Sequence, residues 1–130
     1  MPVYGKLYNW LAIGDARKIA PVGWHIPTET EWQTLIAYLS SQQGNQLKEK
    51  GSNHWNANSK ATNESGFTAL PAGFRYRNLG FEDLSFSGNW WTASENGMYA
   101  NMFSLTYNQE TLIKALEYKI NGYSIRCVKD

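Results

Sequence analysis

Between residues 28 and 40 the apolar positions keep a helical spacing: Trp32, Leu35, Ile36 and Leu39 recur at i, i+3, i+4 and i+7 and form one stripe. Thr28 stands where an N-cap belongs, with Glu31 three residues on, so the pair reads as a T-x-x-E capping box; Pro27 fixes the approach. The spacing predicts a helix over about 28–40, closed by Ser40, Ser41 and Gly44. A shorter helix is expected through Trp10, Leu11, Ala12 and Ile13, capped by Asn9 and loosened at Gly14 and Asp15.

From 45 to 97 the periodicity fails, and Gly, Asn, Ser and Pro interrupt every apolar run. Disordered segments are poor in aromatics, whereas this one holds Trp55, Phe67, Phe74, Tyr76, Phe81, Phe86, Trp90 and Trp91, so ordered loops are expected. Beyond it the pattern turns to strands. Residues 99–107 form one run; 112–120 form another, with Leu112, Leu116, Tyr118 and Ile120 on one parity. Asn121-Gly122 is a type I′ turn signal, after which 123–128 would return as a hairpin strand with Tyr123, Ile125 and Cys127 on one face. No internal repeat or low-complexity tract interrupts the chain, and its length suits a single domain over 1–130.

Hydrophobic residues make up 42% and charged ones 18%, and no apolar stretch approaches the roughly 18 residues of a membrane span, so a soluble globular domain without membrane insertion is expected. A net charge of +1 with no basic run argues against nucleic acid as a partner. The first residues, MPVYGKLYNW, lack the features of a secretory signal, which fits an intracellular domain or a mature or trimmed segment. The single cysteine, Cys127, excludes an intrachain disulfide and a cysteine zinc cluster, and leaves the redox compartment open. Six Trp, eight Tyr and five Phe beside eleven Gly suggest a loop-rich fold with large rigid surfaces, a composition common in recognition.

The stretch GWHIPTETEW sets His25 near Glu29 and Glu31 and could be read as acid–base chemistry. Both glutamates already suit the first helical turn, where negative charge offsets the helix dipole, so His25 is expected as a satisfied, partly buried histidine. Asn63-Glu64 and Glu95-Asn96 could touch a metal, but turn capping is the expected role. Glu82, Asp83 and Glu95 are carboxylates whose separation the sequence does not reveal, and no G-x-S-x-G motif supplies a nucleophile. No catalytic residue, metal ligand or cofactor is therefore assigned, and an enzyme is not expected. The residues suited to an exposed ligand surface are Arg75, Tyr76, Arg77, Asn89, Trp91, Tyr99, Asn101 and Tyr107. Trp90 belongs with them, although adjacent strand residues face opposite ways, so at least one of Trp90 and Trp91 should be core.

YGKLYNW, APVGWHIPTETEW, HWN, ATNESGFTALPAGFRY, NWWTASE and GYSIRCVKD, in that order, are similar to motifs of the Fibrobacter succinogenes major paralogous domain. The resemblance runs from about Tyr4 to Asp130, and GWHIPTETEW matches a signature of the family that leads into a core helix. It implies kinship with surface and secreted proteins of Fibrobacter and Bacteroidetes, often lipoproteins, and so an extracellular or cell-surface location. It also implies a C-type-lectin-like fold, shared with formylglycine-generating enzymes and with the variable receptor-binding proteins of diversity-generating retroelements. The expected architecture is accordingly α+β, two helices packed on a twisted antiparallel sheet with long ordered loops and adjoining terminal segments. Many relatives carry a cysteine where this chain has Ala20, paired with that of the closing RCVKD; Cys127 here would be a free, buried thiol. One cysteine cannot build the copper site of the oxidases. The EPN or QPD tripeptide and WND of calcium-dependent lectins are missing too, Trp55-Asn56-Ala57 being half a match. Ligand contacts of the retroelement relatives lie on the C-terminal sheet and its loops. The expectation is a non-catalytic module binding a glycan or protein there, set against a structural spacer of a larger surface assembly; ligand and oligomeric state stay open.

Overall fold

The computed structural model describes residues 3–39, 41–57 and 60–130. Thr28 caps helix α1 (Glu29–Tyr38) as the sequence proposes: its Oγ1 accepts the Glu31 N–H at 3.2 Å, and the Glu31 carboxylate accepts the Thr28 N–H at 2.8 Å. Leu39 is the C-cap, and Ser40, the expected end marker, lies outside the described residues. The apolar stripe does its packing work, Trp32 inside the core and Leu35, Ile36 and Leu39 against it.

Ahead of α1 lies β1 (Trp24–His25), and after it a five-residue helix, α2 (Gln43–Leu47). Two short strands, β2 (Phe74–Arg75) and β3 (Phe81–Glu82), form a hairpin. The main sheet is antiparallel, with β4 (Ser87–Asn96), β5 (Tyr99–Thr106) and β6 (Ile113–Tyr118) in that order. Gly97 and Met98 join β4 to β5, and Gly97 supplies the positive φ (60°) that so tight a hairpin turn requires. At the end of the chain β7 (Val128–Lys129) pairs with β1.

Trp90 and Trp91 divide the core between the two faces of β4. Trp90 packs with Trp32, Leu47, Trp55, Phe103 and Leu105 beneath α1, while Trp91 packs with Trp10, Ala100, Met102 and Tyr123 beneath the two ends of the chain. Three indole N–H groups find carbonyls at 2.8 Å: Trp10 to Thr92, Trp55 to Ala69 and Trp91 to Tyr8. The terminal segments do meet, for Tyr8 and Tyr123 exchange backbone hydrogen bonds at 2.8 and 3.0 Å.

Several expectations need correction. The two-helix α+β arrangement does not form: the structure is largely β, built from small sheets, and among the described residues its helices are short, α1 of ten residues and α2 of five. The predicted first helix is a single 3₁₀ turn, Trp10–Ala12, with no side-chain cap from Asn9. Only Trp10 in it is buried, and Leu11 is 61% exposed, so one turn suffices to place the one ring the core needs. Strand β4 lies inside the region read as loop. Its first six residues are buried on both faces, which erases the alternation that marks a half-buried strand.

The Asn121-Gly122 hairpin also fails to form. Asn121 is fully buried, and the residues after it leave β6: Gly122 exchanges backbone hydrogen bonds with Arg75, Tyr123 does so with Tyr8, and Ser124 accepts from Trp91 and donates to Asn89. Three separate segments use the backbone groups that a returning strand would have offered to β6.

Candidate functional site

Tyr99 and Tyr118 are paired positions in the β5–β6 ladder, with Asn101 and Leu116 two residues along, so pleating puts all four on one face. One end of this face is covered by α1. There Asn101 Nδ2 donates to a Glu29 carboxylate oxygen while Lys114 Nζ reaches the other at 2.7 Å. The far end is open: Tyr99 is 38% and Leu116 50% exposed.

Arg77 reaches this open end from the β2–β3 loop. Its backbone has φ of 45°, an uncommon left-handed conformation for a residue with a side chain, and is held by its N–H donating to Asn121 Oδ1 at 3.1 Å. Asn121 in turn donates to Glu117 and to the Tyr123 hydroxyl, both at 3.3 Å. The Arg77 guanidinium is thereby brought 4.2 Å from the Tyr118 ring centroid and 5.3 Å from that of Tyr76. Arg77 Nε is buried without a hydrogen-bond partner, and among the described residues neither Arg75 nor Arg77 pairs with a carboxylate. Cation–π contact, in place of a salt bridge, holds the charge.

The rings of Tyr99 and Tyr118 lie 4.7 Å apart, tilted by 40°. Interaction with the neighbouring phenol of Tyr99 first and with the Arg77 charge second lowers the pKa of Tyr118, and the same pairing raises that of Tyr99. The resulting face presents tilted aromatic planes, two phenol hydroxyls and a guanidinium that, among the described residues, pairs with no carboxylate. It can stack on a flat apolar surface and donate to oxygen acceptors at once.

Of the residues singled out in the sequence, Tyr76, Arg77 and Tyr99 come together here, with Asn101 adjoining. Arg75 is exposed nearby, its guanidinium 6.0 Å from the Phe81 ring. The others go elsewhere. Trp91 is fully buried, and Trp90 is 5% exposed, so both belong to the core. Asn89 is buried and structural: it donates to Gly73 O and Ser87 Oγ and accepts from Ser104 Oγ. Tyr107 is half-buried against the first core, its ring edge-on to Phe86 at 5.4 Å. Tyr118 was missed as a site residue. Its parity with Leu116 was legible, but pairing with Tyr99 depends on the register of β5 on β6.

His25 is bridged on both sides, Nδ1 to Asp130 at 2.6 Å and Nε2 to Glu31 at 2.7 Å. Hydrogen bonds to Asp130 first and Glu31 second raise its pKa, favouring an imidazolium that ties β7 to the start of α1. Asn63 caps its own turn, accepting from Thr68 N and donating to Thr68 Oγ1, while Glu95 pairs with Lys119. Cys127 is free and half-buried.

Fold and face together define a small, largely β domain with an aromatic–cationic surface at one end of its central sheet. The chain belongs to the Fibrobacter succinogenes major domain family, whose sequence model matches residues 2–129. No curated protein and no solved structure matches it.

Proposed function

We propose that this domain is a non-catalytic recognition module of a bacterial cell-surface or secreted protein and that it seats a glycan on the face formed by Tyr76, Arg77, Tyr99 and Tyr118. One observation carries the reading: Arg77 stands over the rings of Tyr76 and Tyr118 at an open sheet end and, among the described residues, forms no ion pair with a carboxylate. Sugar rings offer C–H faces to aromatic planes, and their hydroxyl or carboxylate oxygens accept from a guanidinium. Membership of the family supports a surface-associated parent protein. A glycan array probed with the wild-type domain, then with Tyr99→Ala, Tyr118→Ala and Arg77→Lys, tests it. A centrally placed ring costs about 2 kcal/mol or more in affinity on truncation, with Tm unchanged. Full retention of binding by all three variants would remove the site from this face.

The competing role, a structural module packed against neighbouring domains, draws on a different surface. Leu79, Phe81 and Leu84, in and just after the β2–β3 hairpin, are 75%, 77% and 56% exposed, and exposed apolar patches mark contact sites. Concentration-dependent sedimentation that Phe81→Glu abolishes, with no array ligand, would favour it.

A further inference from the structure

Helix α1 and the β1–β7 ladder leave an open groove of about 620 Å³ between them, lined by none of the residues of the tyrosine face. That volume falls within the range of small-molecule pockets, roughly 300–1,000 Å³. Trp24, Leu35, Tyr38, Phe67, Cys127 and Val128 give it almost wholly apolar walls. Trp24, Tyr38 and Val128 are 43%, 86% and 38% exposed, so the groove opens to solvent through its own apolar residues.

Among the described residues, a cation without a carboxylate and an indole N–H without an acceptor stand at this groove. The Arg126 guanidinium lies 4.2 Å from the Phe67 ring centroid and, among the described residues, meets no carboxylate. The residue is exposed, and the packing of its side chain against the groove wall lowers its pKa. Trp32, 3% exposed, contributes to the same wall, and its Nε1 is buried without an acceptor. The acid in the lining, Glu31, is already engaged by Thr28 N–H and His25. Lys129 adds a second cation.

We propose that this groove binds a small amphiphilic carboxylate, its aliphatic or aromatic body against Trp24, Leu35, Phe67 and Val128 and its carboxylate on Arg126. An apolar body removes the exposed rings from water, and an anion gives the guanidinium held on the Phe67 ring a counter-charge. A peptide main chain laid along the same walls would lose water from its amides with few groups to replace it, which favours a small molecule.

Cys127 makes the groove measurable without labels elsewhere. Decanoate, decanol and decyltrimethylammonium, each below its micellar concentration, are compared by tryptophan emission and by protection of Cys127 from iodoacetamide. Decanoate should slow alkylation and bind at least about tenfold more tightly than the ammonium, a preference that Arg126→Gln reduces to near parity and Arg126→Lys partly restores. Tyr99→Ala should leave decanoate binding unchanged, which separates this groove from the glycan face. The proposal is overturned if decanoate gives no protection, or if Arg126→Gln keeps the full preference while its Tm matches wild type. It is overturned equally if protection grows with protein concentration alone, since a second copy would then cover the groove, or if a capped apolar tripeptide protects better than decanoate.

Discussion

Single residues carry most of what can be tested directly. Thr28→Ala removes the N-cap and should cost about 1 kcal/mol in chemical denaturation. Trp32→Ala and Trp91→Ala each empty a buried indole site and should cost about 3–5 kcal/mol, while Tyr99→Ala, at an exposed position, should leave stability nearly unchanged. His25 gives a pH dependence with a definite sign. Its folded pKa is raised above the ordinary value near 6.5, so the stabilisation by Asp130 and Glu31 is complete below that value and fades as pH rises through the folded pKa. Melting curves across the neutral range should show this decline in wild type and lose it in His25→Gln. The sequence placed His25 as structural because Glu29 and Glu31 had helix work already; the pairing with Asp130, 105 residues away, was invisible to any local pattern.

Elements differ in how far they announce themselves. Helix α1 carries its signal locally, in a cap, a first-turn charge pair and a stripe, so its start was legible. Helix α2 carries none. Gly44 is there because a Cβ would lie 2.7 Å from the Glu110 carbonyl carbon, and its N–H donates to Glu110 O at 2.8 Å. Strand β4 is shaped by similar close approaches: a Cβ on Gly88 would stand 2.4 Å from the Trp90 ring. At Gly73, φ is 67° and a Cβ would meet Glu82 O at 2.1 Å, so Gly73→Ala should cost about 2–4 kcal/mol in urea unfolding, strain and overpacking adding. Just past α2, buried Lys48 donates to Gln109 O at 2.7 Å and to Tyr107 O at 3.4 Å, tying the helix to the turn between β5 and β6. Desolvation drops its pKa to about 8 from 10.5. A folded pKa below the unfolded one means that stability rises from about pH 8 towards 10.5, the opposite slope to that of His25. Replacing Lys48 with Met should flatten that alkaline rise and leave the neutral decline in place.

At the scale of the whole molecule, Cys127 stands alone, so reductant should leave Tm unchanged; a fall of several degrees would point to a covalent link between chains. The arrangement of segments explains why so much of the fold could not be read. Strands 99–106 and 113–118 were legible because each keeps an extended run of its own, yet the direction taken after Asn121 was not. The local turn signal is real, but Gly122, Tyr123 and Ser124 each bond to a different distant segment, and the sum of those contacts outweighs one hairpin. The same holds for the candidate face. Arg77, Tyr76 and Tyr99 could be chosen by chemistry, since rings and guanidinium suit recognition wherever they sit. Their assembly, and the entry of Tyr118 in place of Trp91, needed the register of β5 on β6 and the Asn121 clasp on Arg77. What the sequence determined by itself was the local order, namely the capped helix, the strand runs and the wealth of aromatics. Tertiary structure decided which faces of the strands are buried, for burial depends on what lies opposite. A strand covered on both sides, like β4, has no periodic signature, and the parity of one left largely uncovered, like β6, does not say what will lie against it.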